Sequence, residues 1–138
     1  MLEQLRTKIN HNEIINEKLF VNCDLDELLD MRDDDEFDSE WMRIYNVLSS
    51  TSITENQKKE IDFIREESFI MAYNLSGSSD IASCISDDIE LICKAYILNF
   101  SDNWLNSLIL SYANRMFPCG KLIATNKTLE ECITCLLK

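Results

Sequence analysis

The residues best supplied for chemistry are acids. Between Asp24 and Glu40, ten of seventeen positions are carboxylates: Asp24, Asp26, Glu27, Asp30, Asp33, Asp34, Asp35, Glu36, Asp38 and Glu40. Arg32 is the one base among them, so this stretch holds nine of the chain's twelve net negative charges. Carboxylates can hold a hard cation, move protons, or recognise a cationic partner. A calcium loop of the EF-hand kind needs oxygen ligands at set positions and a glycine for its turn. A start at Asp24 puts Leu28, and a start at Asp33 puts Phe37, where the fifth-position ligand belongs, and no register supplies the glycine. Proton transfer needs a carboxyl whose pKa is raised by burial or by a close partner, and a solvated run provides neither. No metal site, cofactor or catalytic residue is therefore assigned.

Recognition of a basic surface is the chemistry left. Acids near a helix N-terminus suit its dipole by about 0.3–1 kcal/mol each, which accounts for two or three of the ten as solvated surface. Packing the remainder so closely costs local stability, which an interface would offset. Phe37, Trp41 and Tyr45 lie within or just after the run. Aromatic anchors ringed by charge are what a tight interface uses: the ring supplies burial and the acids orient the approach. The expected partner-binding residues are Asp30, Asp33, Asp34, Asp35, Glu36, Phe37, Asp38, Glu40 and Trp41. Trp41 also falls in a core stripe with Ile44, Tyr45 and Leu48, so burial competes with the interface for it.

Other chemistry has little support. Cys132 and Cys135 form a CxxC, but near the C-terminal end of a predicted helix, where the dipole raises rather than lowers a thiol pKa. Zinc would need two further ligands at a consistent spacing. The six cysteines (Cys23, Cys84, Cys93, Cys119, Cys132 and Cys135) read as reduced thiols, mostly small core side chains. His11, the one histidine, sits between two asparagines in a polar break. Two glycines cannot build a phosphate loop. Nucleic acid and anionic membrane would be repelled by the acid strip, and no basic cluster compensates elsewhere. No apolar segment reaches the length of a membrane span or a secretory leader, so a cytoplasmic, non-enzymatic binder is expected.

The elements that must position these residues read as helices. With two glycines and one proline in 138 residues, there is too little turn chemistry for many short strands. "TENQ" at Thr54–Gln57 is a capping box opening a helix to Leu75, with Gly77 just beyond. Its later part, "FIMAYNL", is apolar nearly all round and is expected to enter the centre of the fold. Ile81, Ile85, Ile89, Ile92 and Tyr96 stripe the next helix, to about Phe100. Ser101 is expected to cap another, with Trp104, Leu105, Leu108, Tyr112 and Met116 inward and Pro118 and Gly120 as its stop. Thr128 opens the last, striped by Leu129, Cys132, Ile133, Leu136 and Leu137. In the first half, Leu2, Leu5 and Ile9 mark a helix, Ile14 to Val21 continue the pattern less cleanly, and Asp24 caps a short helix through Leu25, Leu28 and Leu29. Asp38 or Ser39 is expected to cap the Trp41 helix. The fold class is all-α: a single compact domain over residues 1–138, an irregular bundle of six to eight helices.

In size, acidity and missing catalytic equipment, with "DDDEFDSEW" as its sharpest feature, the chain resembles immunity proteins of bacterial toxin–immunity pairs, including those of contact-dependent growth inhibition. The resemblance implies a cognate toxin domain as partner, probed most naturally as a basic nuclease whose substrate cleft the carboxylates would block. Immunity proteins differ widely in fold, so no residue role is carried over. The competing readings are a phage-type nucleic-acid mimic, a helical adaptor with an exposed hydrophobic groove away from residues 24–40, and an enzyme with a deep pocket of buried carboxylates.

Overall fold

The computed structural model describes all residues, Met1–Lys138. It is all-helical: α1 (Leu2–Asn10), a 3₁₀ turn (Glu17–Phe20), α2 (Leu25–Arg32), α3 (Asp35–Ser49), α4 (Glu55–Ser76), α5 (Ser79–Leu98), α6 (Asn103–Ala113) and α7 (Leu129–Leu136). Thirty buried apolar residues drawn from every helix form one continuous core. α5 runs through its middle. It buries Ile81, Ala82, Ile85, Ile89, Leu91, Ile92, Cys93 and Ala95, and α4, α3 and α2 all pack on it.

The helix boundaries follow local chemistry. Thr54 accepts from the Gln57 N–H at 3.1 Å while Gln57 Oε1 accepts from the Thr54 N–H at 2.9 Å, closing the capping box. Thr128 and Glu131 repeat the arrangement at α7. Gly77 ends α4 in the left-handed region, φ 69°, which glycine adopts without a Cβ clash. The turn that follows lets α5 fold straight back on α4.

Four expectations need correction. The Ile14–Val21 stretch is not a continued helix. Its polar turn is fixed by Asn12 at φ 58°, and Ile14, Ile15 and Leu19 are buried from an irregular path ending in the 3₁₀ turn. α4 does not enter the centre: it packs mainly on α5 and α1, which leaves Phe63, Ile70, Tyr73 and Leu75 exposed. Asp102, not Ser101, caps α6, accepting from the Trp104 N–H at 2.9 Å and the Leu105 N–H at 3.1 Å. α6 also stops at Ala113, well before Pro118, so Met116 lies outside it and is exposed.

Candidate partner-binding surface

The acid run is not a loop. It occupies α2 and the start of α3, two helices separated by a break at Asp33–Asp34. α3 therefore begins earlier than expected, so Asp38 and Ser39 are helical residues and Asp34 holds the N-cap position without a side-chain bond. Nine of the ten carboxylates are exposed and Glu40 is half-buried.

Local structure explains some of them. Asp24 caps α2 by accepting from the Asp26 N–H at 2.9 Å. Asp26 and Glu27 lie in the first turn of α2, and Asp35, Glu36 and Asp38 in the first turn of α3, where the dipole favours anions. Glu40 and Asp102 both bind Arg43, at 2.6 and 2.9 Å. Asp30 and Asp33 have no such account, and Asp34 has only the dipole at the N-cap of α3, without a side-chain bond. Asp30 and Asp33 sit at the C-terminal end of α2, where the dipole opposes a negative charge, and none of the three forms a salt bridge.

The one base of the run turns inward. Arg32 is 8% exposed and lies against Asp88 of α5, which is fully buried. Its guanidinium makes a two-pronged contact, Nη1–Oδ2 2.7 Å and Nη2–Oδ1 2.9 Å, and Nη1 also donates to the Pro118 carbonyl at 3.2 Å. Asp88 accepts two more bonds, from Trp41 Nε1 at 2.9 Å and the Tyr112 hydroxyl at 2.6 Å. Arg32 lies over the ring of Phe37 at 4.5 Å and of Phe117 at 5.5 Å. Desolvating two charges costs several kcal/mol per ion, so such a pair persists only where hydrogen bonds compensate it. Here Asp88 accepts four and Arg32 donates three. Burial alone would lower the Arg32 pKa, but the Asp88 carboxylate outweighs it and the net shift is upward. Burial, then the neighbouring Asp88 charge, pushes the Tyr112 phenol well above its ordinary value. This hub ties α2, α3, α5 and α6 together directly beneath the acid strip.

The hub decides which predicted site residues face solvent. Phe37, expected as an anchor, is 1% exposed. It packs edge-on against Trp104 at 5.1 Å and under Arg32, so it has no surface left for a partner. Its position one helical turn before Trp41 makes it part of the core stripe that continues to Ile44 and Leu48. Trp41 is half-buried: its indole N–H is committed to Asp88, and its ring stacks on Tyr45 at 5.5 Å with planes 14° apart. Asp30, Asp33, Asp34, Asp35, Glu36 and Asp38 all remain exposed. Sequence reasoning missed Asp88, and the signal was present: an acid stands on the apolar stripe of α5 between Ile85 and Ile92, where only a paired carboxylate survives burial.

Elsewhere the groups suited to catalysis are not assembled. All six cysteines are free, and Cys93 and Cys132 are buried. Burial pushes the Cys93 thiol up to about 12 and also raises Cys84, Cys119 and Cys132, the reverse of a reactive thiolate. His11 is exposed at the C-terminal cap of α1. No group of three or more His, Cys, Asp or Glu side chains is placed to hold a metal. No helix is long and apolar enough to cross a membrane.

The chain is thus an all-helical body with one acidic face. The family model for immunity protein PIM1 matches residues 4–119, and the chain belongs to that family. The matched span contains the whole acid run, the Asp88 hub, most of α1 and all of α2 to α6. Its role is accordingly that of a helical immunity-type binding protein, with a toxin-type protein as cognate partner. Comparison with curated protein sequences gives no match.

Proposed function

We propose that the chain neutralises a basic toxin, a nuclease, by placing the carboxylates of α2 and α3 in the cleft that would otherwise hold nucleic-acid phosphates. The setting proposed is a toxin–immunity pair of the contact-dependent growth inhibition type, acting in the cytoplasm. One observation carries the reading: the single cation within the acid run, Arg32, is withdrawn into the core against Asp88. The strip is left facing solvent without a counter-charge of its own, apart from Arg43 at Glu40. Carboxylates accept hydrogen bonds from Arg and Lys as phosphate oxygens do, and a uniform anionic face speeds encounter with a cationic cleft.

Asp30, Asp33 and Asp34 give the cleanest test, because no ion pair uses them and only Asp34, at the N-cap of α3, lies where a helix dipole favours it. The triple variant D30N/D33N/D34N, co-expressed with the protein encoded immediately upstream, should keep its fold. Its association rate at low salt should fall about tenfold, and the dependence of that rate on ionic strength should flatten. Unchanged association with unchanged salt dependence would remove the strip from the interface.

The adaptor reading draws its support from α4, whose outer face leaves Phe63, Ile70 and Tyr73 exposed. A stripe of that kind suits an apolar partner helix. It is the weaker reading. Arg6 of α1 lies 5.8 Å from the Phe63 ring centroid and pairs with Glu67 at 2.7 Å, so an ion pair interrupts the apolar stripe.

A further inference from the structure

Resting on that reading, we infer that the face of α3 carrying Trp41, Met42 and Tyr45 is the apolar centre of the toxin contact. A patch of the partner covers it, presenting basic side chains to Asp33, Asp38 and Asp87 at its edge. Steering by acids sets how fast two proteins meet, whereas residence depends on a few desolvated side chains near the middle of the interface. On α2 Met31 stands exposed as one isolated flexible side chain, and the acidic first turn of α3 has no such side chain once Phe37 is buried. The next turns of the same helix supply it. Met42 is 40% and Tyr45 39% exposed, and both follow directly on the acids of the first turn.

The patch is rigid before any partner arrives. Trp41 is pinned by its bond to Asp88 and stacked on Tyr45, so little side-chain freedom is lost on binding. Beside it, a cleft of about 180 Å³ opens between α3 and α5, walled by Asp33, Asp38, Trp41, Met42, Cys84 and Asp87, with the buried Arg32 and Phe37 completing its lining. Small-molecule sites run to about 300–1,000 Å³, so this one suits a single side chain. Arg32 is neutralised by Asp88, so the remaining carboxylates, Asp33, Asp38 and Asp87, select a cationic one. Asp87 comes from α5 and already binds Arg65 at 2.6 Å through one oxygen, so arginine is accommodated at that carboxylate. A second copy of this chain is a poor occupant. It would set the same carboxylates against one another in a molecule of net charge −12.

The experiment compares M42A/Y45A with wild type and with D30N/D33N/D34N, binding the protein encoded immediately upstream and following association and dissociation separately. Alanine on an exposed helix face preserves the helix, Trp41 stays in place, and the melting temperature confirms the fold. M42A/Y45A should dissociate at least about tenfold faster with an association rate within about twofold of wild type. The acid variant should associate about tenfold more slowly and, since it loses only Asp33 from the cleft, dissociate less than about threefold faster. Wild-type protein that binds no such partner overturns the proposed function and this inference with it. If the acid variant associates slowly but M42A/Y45A dissociates as wild type does, the strip stands and the docking face is wrong. Loss of binding in F63A/I70A instead would place the contact on α4, and concentration-dependent dimers abolished by M42A/Y45A would make the occupant a second copy. Either result overturns the inference.

Discussion

The Asp88 hub makes the sharpest prediction about stability. Asp88→Asn keeps the shape of the side chain and an acceptor for Trp41 or Tyr112, but removes the charge that compensates Arg32. Arg32 is 8% exposed and cannot reach water without unpacking Phe37 and Phe117. Leaving a buried charge without its partner costs about 3–5 kcal/mol. That is a large share of the roughly 5–15 kcal/mol by which a domain of this kind is stable. Urea unfolding followed by tryptophan fluorescence suits the measurement, because Trp41 bonds directly to Asp88. With a slope of roughly 2 kcal/mol/M, the midpoint should drop by about 1.5–2.5 M. Arg32→Met should cost a similar amount, and R32M/D88N far less than the two together, since the pair is then removed as a unit. A drop below about 0.5 M for D88N, or additive losses in the double variant, would show that the pair contributes no more than a surface salt bridge.

Two further outcomes follow from the same structure. The folded state holds the Cys93 proton to about 12 against an ordinary 9.0, and the Tyr112 proton well above 10.0. Both pKa values are raised by folding, so their stabilising effect is complete below pH 9 and is lost as pH rises through the folded values. Above pH 9 the unfolded chain binds fewer protons than the folded one, and stability should fall by about 1.4 kcal/mol per pH unit for each group titrating. Urea midpoints between pH 8 and pH 10.5 should decline accordingly, less steeply in C93A, and a flat profile would contradict the burial of these groups. Separately, Thr54→Ala and Thr128→Ala each open one capping box and should cost about 1 kcal/mol, measured by the same unfolding and additive because the two sites share no partner.

The outcome at each residue divides between local and distant causes. Helical content, the two capping boxes, Asp24 as a cap and Gly77 as a stop were all readable from the sequence. Each depends on neighbours within one turn, and the chemistry of a cap is complete in four residues. The density of charge between Asp24 and Glu40 was equally plain. What the chain order could not show was which way Arg32, Phe37 and Trp41 point. Arg32 reads as a surface cation diluting the acid run, yet it is drawn inward by Asp88, a residue 56 positions away. Phe37 turns inward with the core stripe of α3 that continues to Ile44 and Leu48, and so comes to lie against the guanidinium.

α4 erred in the other direction. Its apolar composition suggests a central helix, but centrality depends on how many helices surround it, and α5 took that place. Burial is a property of the assembled neighbours, and a sequence specifies those only through the whole fold. The sequence by itself determined that this protein is helical and carries one anionic segment. The tertiary structure alone decided that the segment meets solvent without its arginine, because compensating a buried carboxylate in α5 outweighed leaving that cation in water.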